Sequence, residues 1–173
     1  MDSKTEINPV EAVSKFPTFP VVIACVGDGR RNLITISLVH VFSFRPTVVG
    51  VGISPSRYSH GLFHEASDFS INIPHKNLVE EVLFCGTLSG KHVDKVEGSG
   101  LNIRPGKKIR SPVIDDCMVI MECLKTRTID IGDHTWFLGE VVYSELDSSY
   151  EREKLLTYWN GDFRTIGEII RKR

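Results

Sequence analysis

Short runs of β-branched and aromatic residues, punctuated by glycine and proline, set the pattern of this chain. Val21 to Val26 is an unbroken apolar run. The tight turn Gly27-Asp28-Gly29-Arg30 follows, and Asn32 to Ser37 forms the second arm of a hairpin. Thr47 to Ile53, introduced by Pro46, reads as a third strand and Phe69 to Ile73 as a fourth. Cys117 to Ile131 and Thr135 to Glu145 read as a long hairpin turning at Gly132-Asp133-His134. Helical spacing is scarce. One helix is expected from Ser59, whose hydroxyl would cap the turn containing Leu62 and Phe63. A second is expected over about Leu78 to Phe84, where Val79, Val82 and Leu83 recur at helical spacing. Two more are expected over Glu151 to Tyr158 and Thr165 to Arg171, the basic residues of the latter suiting a helix C-terminus. Many antiparallel strands with minor helices predict a mainly β barrel. No repeat, low-complexity segment or linker interrupts the pattern, so a single domain over residues 1–173 is expected.

Composition narrows the function classes. Hydrophobic residues make up 41% and charged residues 25%, the balance of an ordinary globular chain. A net charge of −1 supplies no global basic field, so neither a nucleic acid nor a membrane is an expected partner. The start Met1-Asp2-Ser3-Lys4-Thr5-Glu6 lacks an apolar stretch after a basic head, and Val21 to Val26 is too short to span a bilayer. The cytoplasm is the expected compartment. None of Cys25, Cys85, Cys117 and Cys123 forms a C-x-x-C pair. Cys117 and Cys123 fall in one expected strand, where six residues span roughly 20 Å, too far for a disulfide. Four buried free thiols are expected.

Three places carry candidate chemistry. In Thr47 to Ile53, Val49, Val51 and Ile53 share one face, while Val48, Gly50 and Gly52 share the other. Two glycines on one face of a strand mean that something bulky comes close: a ligand ring, another subunit's backbone, or the barrel's own packing. Next, Ser54-Pro55-Ser56-Arg57-Tyr58-Ser59 leads from that strand into the expected helix. Hydroxyls, a guanidinium and a helix start converge there, which describes either a phosphate cradle or a solvated capping loop. Third, Ser89-Gly90-Lys91 offers a hydroxyl, a flexible backbone and a cation. Other motifs fail. Gly27-Asp28-Gly29 and Gly98-Ser99-Gly100 do not complete G-x-G-x-x-G, and no P-loop is present. His60 and His64 are four apart, but Glu65 follows the second, so H-E-x-x-H is absent and two exposed histidines are expected, with no metal site.

Taken together, these segments resemble the flavin reductase-like, flavoredoxin-type proteins. Gly50 to His60 is similar to their S-P-x-R-x-[ST] segment, and Phe69-Ser70-Ile71-Asn72-Ile73-Pro74 to their F-x-x-N-x-P strand. Cys85 to Lys95 is similar to C-G-x-x-S-G-[KR]-x-x-D-K, and Gly132 to Val141 to G-D-H-x-x-F-x-G-E-V. Order and spacing agree from about Pro20 to Glu140, with a looser match at Tyr158 to Gly161 and Arg164 to Gly167. The resemblance implies an FMN-binding split β-barrel with a few short peripheral helices, and a homodimer with FMN near the subunit interface. Asn32 to Ser37 matches N-x-x-T-x-[SA], so Asn32, Thr35 and Ser37 would lie along the flavin ring, and Ile53 is counted beside them. Ser54, Arg57, Ser59 and Lys91 would hold the phosphate. His134 would face the nicotinamide, as a positioning or polarising group or as a turn histidine satisfied locally. Leu38, His40 and Arg45-Pro46-Thr47 depart from the family's usual residues on the ring and donor side. Two functions follow: an oxidoreductase in which NADH or NADPH reduces the flavin, or an electron carrier fed by a redox protein partner.

Overall fold

The computed structural model describes residues 8–13, 15, 19–27 and 29–171. The elements run α1 (Pro9–Val13), β1 (Phe19–Pro20), β2 (Val22–Val26), β3 (Asn32–Ile36), β4 (Val39–Phe44), β5 (Thr47–Ile53), α2 (Tyr58–Glu65), β6 (Asp68–Ile73), α3 (Val79–Thr87), α4 (Lys95–Gly98), β7 (Ile103–Pro105), β8 (Pro112–Ile114), β9 (Val119–Ile131), β10 (His134–Leu146), β11 (Leu156–Trp159) and β12 (Asp162–Thr165). Seven strands form one antiparallel sheet in the order β3-β2-β6-β9-β10-β5-β4. Its two edges, β3 and β4, are consecutive in sequence and joined only by Ser37 and Leu38. So short a connection forces the sheet to roll until its edges meet. The β4–β5 pairing continues into this connection, where Gly52 N donates to Leu38 O (2.8 Å), and no ladder joins β3 to β4 across the seam. This is the split barrel expected from the sequence, mainly β with short helices.

Strand β2 explains why its run is continuously apolar: it is buried on both faces. Val22, Ala24 and Val26 point into the barrel with Ile34, Ile36, Val49, Val51, Ile53, Phe69 and Phe137. Ile23 and Cys25 point the other way, into a second core with Leu33, Val82 and Cys85. The expected alternation of β5 holds, with Val49, Val51 and Ile53 inward. The glycine face is covered by the barrel's own side chains. A Cβ at Gly50 would lie 2.5 Å from Leu138 and 2.6 Å from Phe42, and one at Gly52 would lie 3.1 Å from Leu38 and 3.3 Å from Trp136. Asn72 of the F-x-x-N-x-P segment is a structural tie. It donates to Ile23 O and Ser70 Oγ, both at 2.9 Å, and accepts from Ile114 N at 3.0 Å.

Several expectations are corrected. The helix over Glu151 to Tyr158 is a short 3-10 turn, Arg152–Lys154, followed by β11, and the helix from Thr165 is absent because Thr165 ends β12. Asn160 (φ 52°) and Gly161 (φ 94°) build a two-residue turn between the paired residues Trp159 and Asp162. Tyr158 and Phe163 of that hairpin pack on the second core. Strand β4 is an edge strand the sequence reading did not include. Ser59 does not cap its helix: α2 begins at Tyr58, with Arg57 at the cap position, and Ser59 is buried inside it. Cys117 lies before β9 rather than within it. All four cysteines are free and buried, as expected. Burial pushes the Cys25 and Cys123 thiols up to about 12 and Cys85 to about 11, which keeps them protonated and unreactive. Among the described residues no helix is long and apolar enough to cross a membrane.

Candidate functional site

The loop from β5 to α2 is the centre of the site. Arg57 N donates to Ser54 O (2.9 Å), and the Ser54 and Ser56 hydroxyls stand 2.9 Å apart. This turn delivers Ser56 and Arg57 to the start of α2, where unpaired backbone N–H groups and the helix dipole favour an anion. Behind it, Asn32 Nδ2 donates to the buried Ser59 Oγ (2.7 Å). The other end of the same carboxamide presses on Gly90, where a Cβ would lie only 2.2 Å from Asn32 Oδ1. Asn32 therefore binds β3, α2 and the 88–91 loop into one unit, and position 90 has no room for a side chain.

Two adjoining clefts open on this unit. The narrow one, about 100 Å³, is walled by Ser56, Arg57, Tyr58 and Ser59 on one side and by residues 86–90 and Lys95 on the other. The wider one, about 420 Å³, is lined by residues 34–38, Gly52, Ile53, Ser54, Ser56, Arg57 and His134. Ile34, Ser56 and Arg57 belong to both, so the two form a continuous slot. Beyond Thr35 and Ser37 an apolar hollow of about 340 Å³ continues between α3 and the side chains of Tyr158 and Phe163.

The charge pattern of the slot is one-sided: no Asp or Glu lines either cleft. Lys95 is 4% exposed, and its ammonium donates to Leu33 O (3.0 Å) and Cys85 O (2.7 Å). Desolvation pulls its pKa down. Nearby Cys85 opposes that shift, and the like charge of Arg57 adds to it. Two cations held near each other without a carboxylate between them leave a place for an anion.

The sequence-derived residues are distributed as follows. Thr35, Ser37, Ile53, Ser54, Arg57 and His134 line the wide cleft, and Ser59 lines the narrow one. The Thr35 hydroxyl donates its hydrogen to Val82 O (2.6 Å), so it is not free to donate to a ligand. Asn32 lies behind the wall. Lys91 is exposed and lies outside both clefts, its backbone N–H donating to Ser89 Oγ (3.3 Å). The buried cation is Lys95, the last residue of the same C-G-x-x-S-G-[KR]-x-x-D-K stretch, which sequence reasoning passed over for the lysine beside Gly90. His134 opens β10, and its Nδ1 lies 2.8 Å from Asp133 Oδ1. That bond holds the Asp133 carboxyl below its usual range. Of the expected exposed pair, His64 is exposed. His60 is half-buried, with Nε2 2.9 Å from Thr135 Oγ1. Among the departures, Leu38 lines the cleft, whereas His40 and Arg45 lie exposed outside it.

Known proteins resemble this chain in sequence and fold. Residues 13–167 match the family described as the flavin reductase like domain. An uncharacterised protein of Archaeoglobus fulgidus is 34% identical over 137 residues, covering 79% of this chain and 76% of its own. An NADH:riboflavin 5'-phosphate oxidoreductase of Streptomyces pristinaespiralis is 27% identical, covering 84% of this chain and 80% of its own. The flavoredoxin structure from Methanosarcina acetivorans superposes with a TM-score of 0.88 at 24% identity, covering 98% of this chain and 94% of that one. The extent of the family match and the agreement in fold lead to one assignment: the chain belongs to the flavin reductase-like family.

Proposed function

We propose that this protein is an FMN-binding oxidoreductase, built as one flavin reductase-like domain and working in the cytoplasm. The observation that carries the reading is the carboxylate-free slot with Arg57 and buried Lys95 at its narrow part. A phosphate fits this donor set: a guanidinium able to fork onto two oxygens, the Ser54, Ser56 and Ser59 hydroxyls, and the start of α2. The wide cleft offers the half-buried Leu38 side chain and the backbone of residues 34–37 and of Ile53, while the Ile34, Ile36 and Ile53 side chains pack in the barrel core. A flat heterocycle with a polar edge matches that lining. When bound, FMN supplies the hydride and electron chemistry, with NADH or NADPH as the transient donor. The residues of this chain anchor, orient and partly desolvate it, and His134 with Asp133 supplies a polar group where the wide cleft opens.

A second reading, an electron carrier fed by a redox protein partner, is favoured by the likeness in fold to a flavoredoxin. The visible spectrum of purified protein, repeated anaerobically with NADH or NADPH, separates the two. A flavin spectrum that bleaches with nucleotide supports the reductase. One that stays unbleached supports the carrier. A colourless protein that takes up no FMN refutes both. We also infer a homodimer, because edge strand β4 exposes Val41, Phe42 and Phe44 beside the barrel seam.

A further inference from the structure

Three side chains outside the slot form a hydrogen-bonded chain from α2 to the tip of the β9–β10 hairpin. His60 Nε2 lies 2.9 Å from Thr135 Oγ1, and Thr135 Oγ1 donates to Asp130 Oδ1 at 2.6 Å. Thr135 is 2% exposed, so water does not compete for its hydroxyl. A hydroxyl has a single hydrogen, and here the carboxylate takes it. Thr135 therefore accepts from His60, and Nε2 must carry a proton. The network sets the tautomer. Phe137 and His64 hold the imidazole edge-on, at centroid distances of 5.6 and 4.6 Å.

The position of this chain gives it meaning. Asp130 and Thr135 face each other across the hairpin, and the next rung outward pairs Ile131 with His134. Nearer the base, Lys125 Nζ donates to Phe63 O and His64 O, both at 2.7 Å, and fastens β9 to the end of α2. Beyond the Asp130–Thr135 rung, the described side-chain bond is the one between Asp133 and His134. His60 is thus the link between the helix that presents Arg57 and the hairpin tip that presents His134, and both of those line the wide cleft.

We propose that His60 is a positioning residue that fixes the span between Arg57 and His134, and so sets where a nicotinamide ring meets a phosphate-anchored flavin. The role in nicotinamide placement rests on the flavin reading above, whereas the pin itself is a property of the chain alone. The test compares wild type, His60→Phe, Thr135→Val and His60→Gln. Phenylalanine keeps a ring but removes the donor, valine removes the acceptor, and glutamine restores an N–H near the Nε2 position. In the flavin-free protein, amide hydrogen exchange at residues 130–135 is expected to rise about fivefold in His60→Phe and in Thr135→Val, the worth of one hydrogen bond. Exchange in β2 stays as in wild type, and His60→Gln returns the tip to protection. With FMN and NADH, the KM for nucleotide is expected to rise about fivefold in the first two variants, on the same hydrogen-bond scale, with FMN affinity held and with rescue in His60→Gln. Unchanged tip exchange in both His60→Phe and Thr135→Val, or a glutamine variant as loose as phenylalanine, overturns the pin. Looser tips with an unmoved KM overturn the role in nicotinamide placement. A chain that takes up no FMN refutes the flavin reading and that placement role with it, and the exchange pattern then decides the pin by itself.

Discussion

Arg57 and Lys95 share one region of the slot but do different work. Arg57 is exposed and makes no described ion pair, so its guanidinium is available to a ligand. Arg57→Ala should weaken FMN binding by about ten- to a hundredfold, the scale of a charge-assisted hydrogen bond, measured by fluorescence titration. Lys95 also holds the carbonyls of Leu33 and Cys85. Lys95→Met should therefore lower both FMN affinity and stability, the latter by about 2–4 kcal/mol as two buried acceptors lose their donor. Lys91→Ala should leave FMN affinity as it is, and a large loss there would refute Lys95 as the phosphate-side cation. His60 gives a pH signature. Its pKa in the folded chain is lowered, chiefly by desolvation and then by His64, against a smaller opposing effect of Asp130. The unfolded chain binds this proton more readily. The stability contributed is therefore fully present above the ordinary histidine value of about 6.5 and is lost as pH falls through the lower folded value. Denaturation curves between about pH 7 and pH 5 should fall less steeply in His60→Gln than in wild type.

At the scale of elements, the legible parts were those with a buried face. Val22–Val26, Thr47–Ile53 and the long β9–β10 hairpin were readable because burial enforces their apolar pattern. Strand β4 escaped because it is an edge: Val41, Phe42 and Phe44 are exposed, and Val39 is its one residue packed on the barrel core, too little to enforce an apolar alternation. The C-terminal hairpin escaped for another reason. The charged run Glu151 to Lys154 resembles a helix start, while the decisive signal was the dipeptide Asn160-Gly161, which accepts positive φ at both positions. Gly161→Ala, with φ at 94°, should cost about 1–2 kcal/mol, visible as a lower thermal midpoint. In the candidate site, the motif pointed to the stretch Cys85 to Lys95, but only the fold shows that Lys91 is exposed while Lys95, the first residue of α4, is buried. The role of Asn32 was equally hidden, since it acts on Ser59 and Gly90 from behind the wall.

For the whole molecule, the two cores share β2 and β3 as a common wall, so disturbing either one reaches the other. The outer face is less complete. Phe44 is 82% exposed on an unpaired edge, where a second copy would cover it. Phe44→Glu should leave the fold intact and shift sedimentation from dimer toward monomer. A wild-type protein that sediments as a monomer at micromolar concentration would refute the dimer.

The open seam has one more consequence. The wide cleft is lined by residues 34–38 on one border of the sheet and by Gly52, Ile53 and His134 from strands on the other. Whatever fills it bridges edge strand β3 and strands β5 and β10, which no ladder joins to β3. The occupant serves as a clasp on an otherwise unfastened cylinder. Its binding free energy adds to the resistance of the barrel to unrolling, and the grip tightens with the logarithm of ligand concentration.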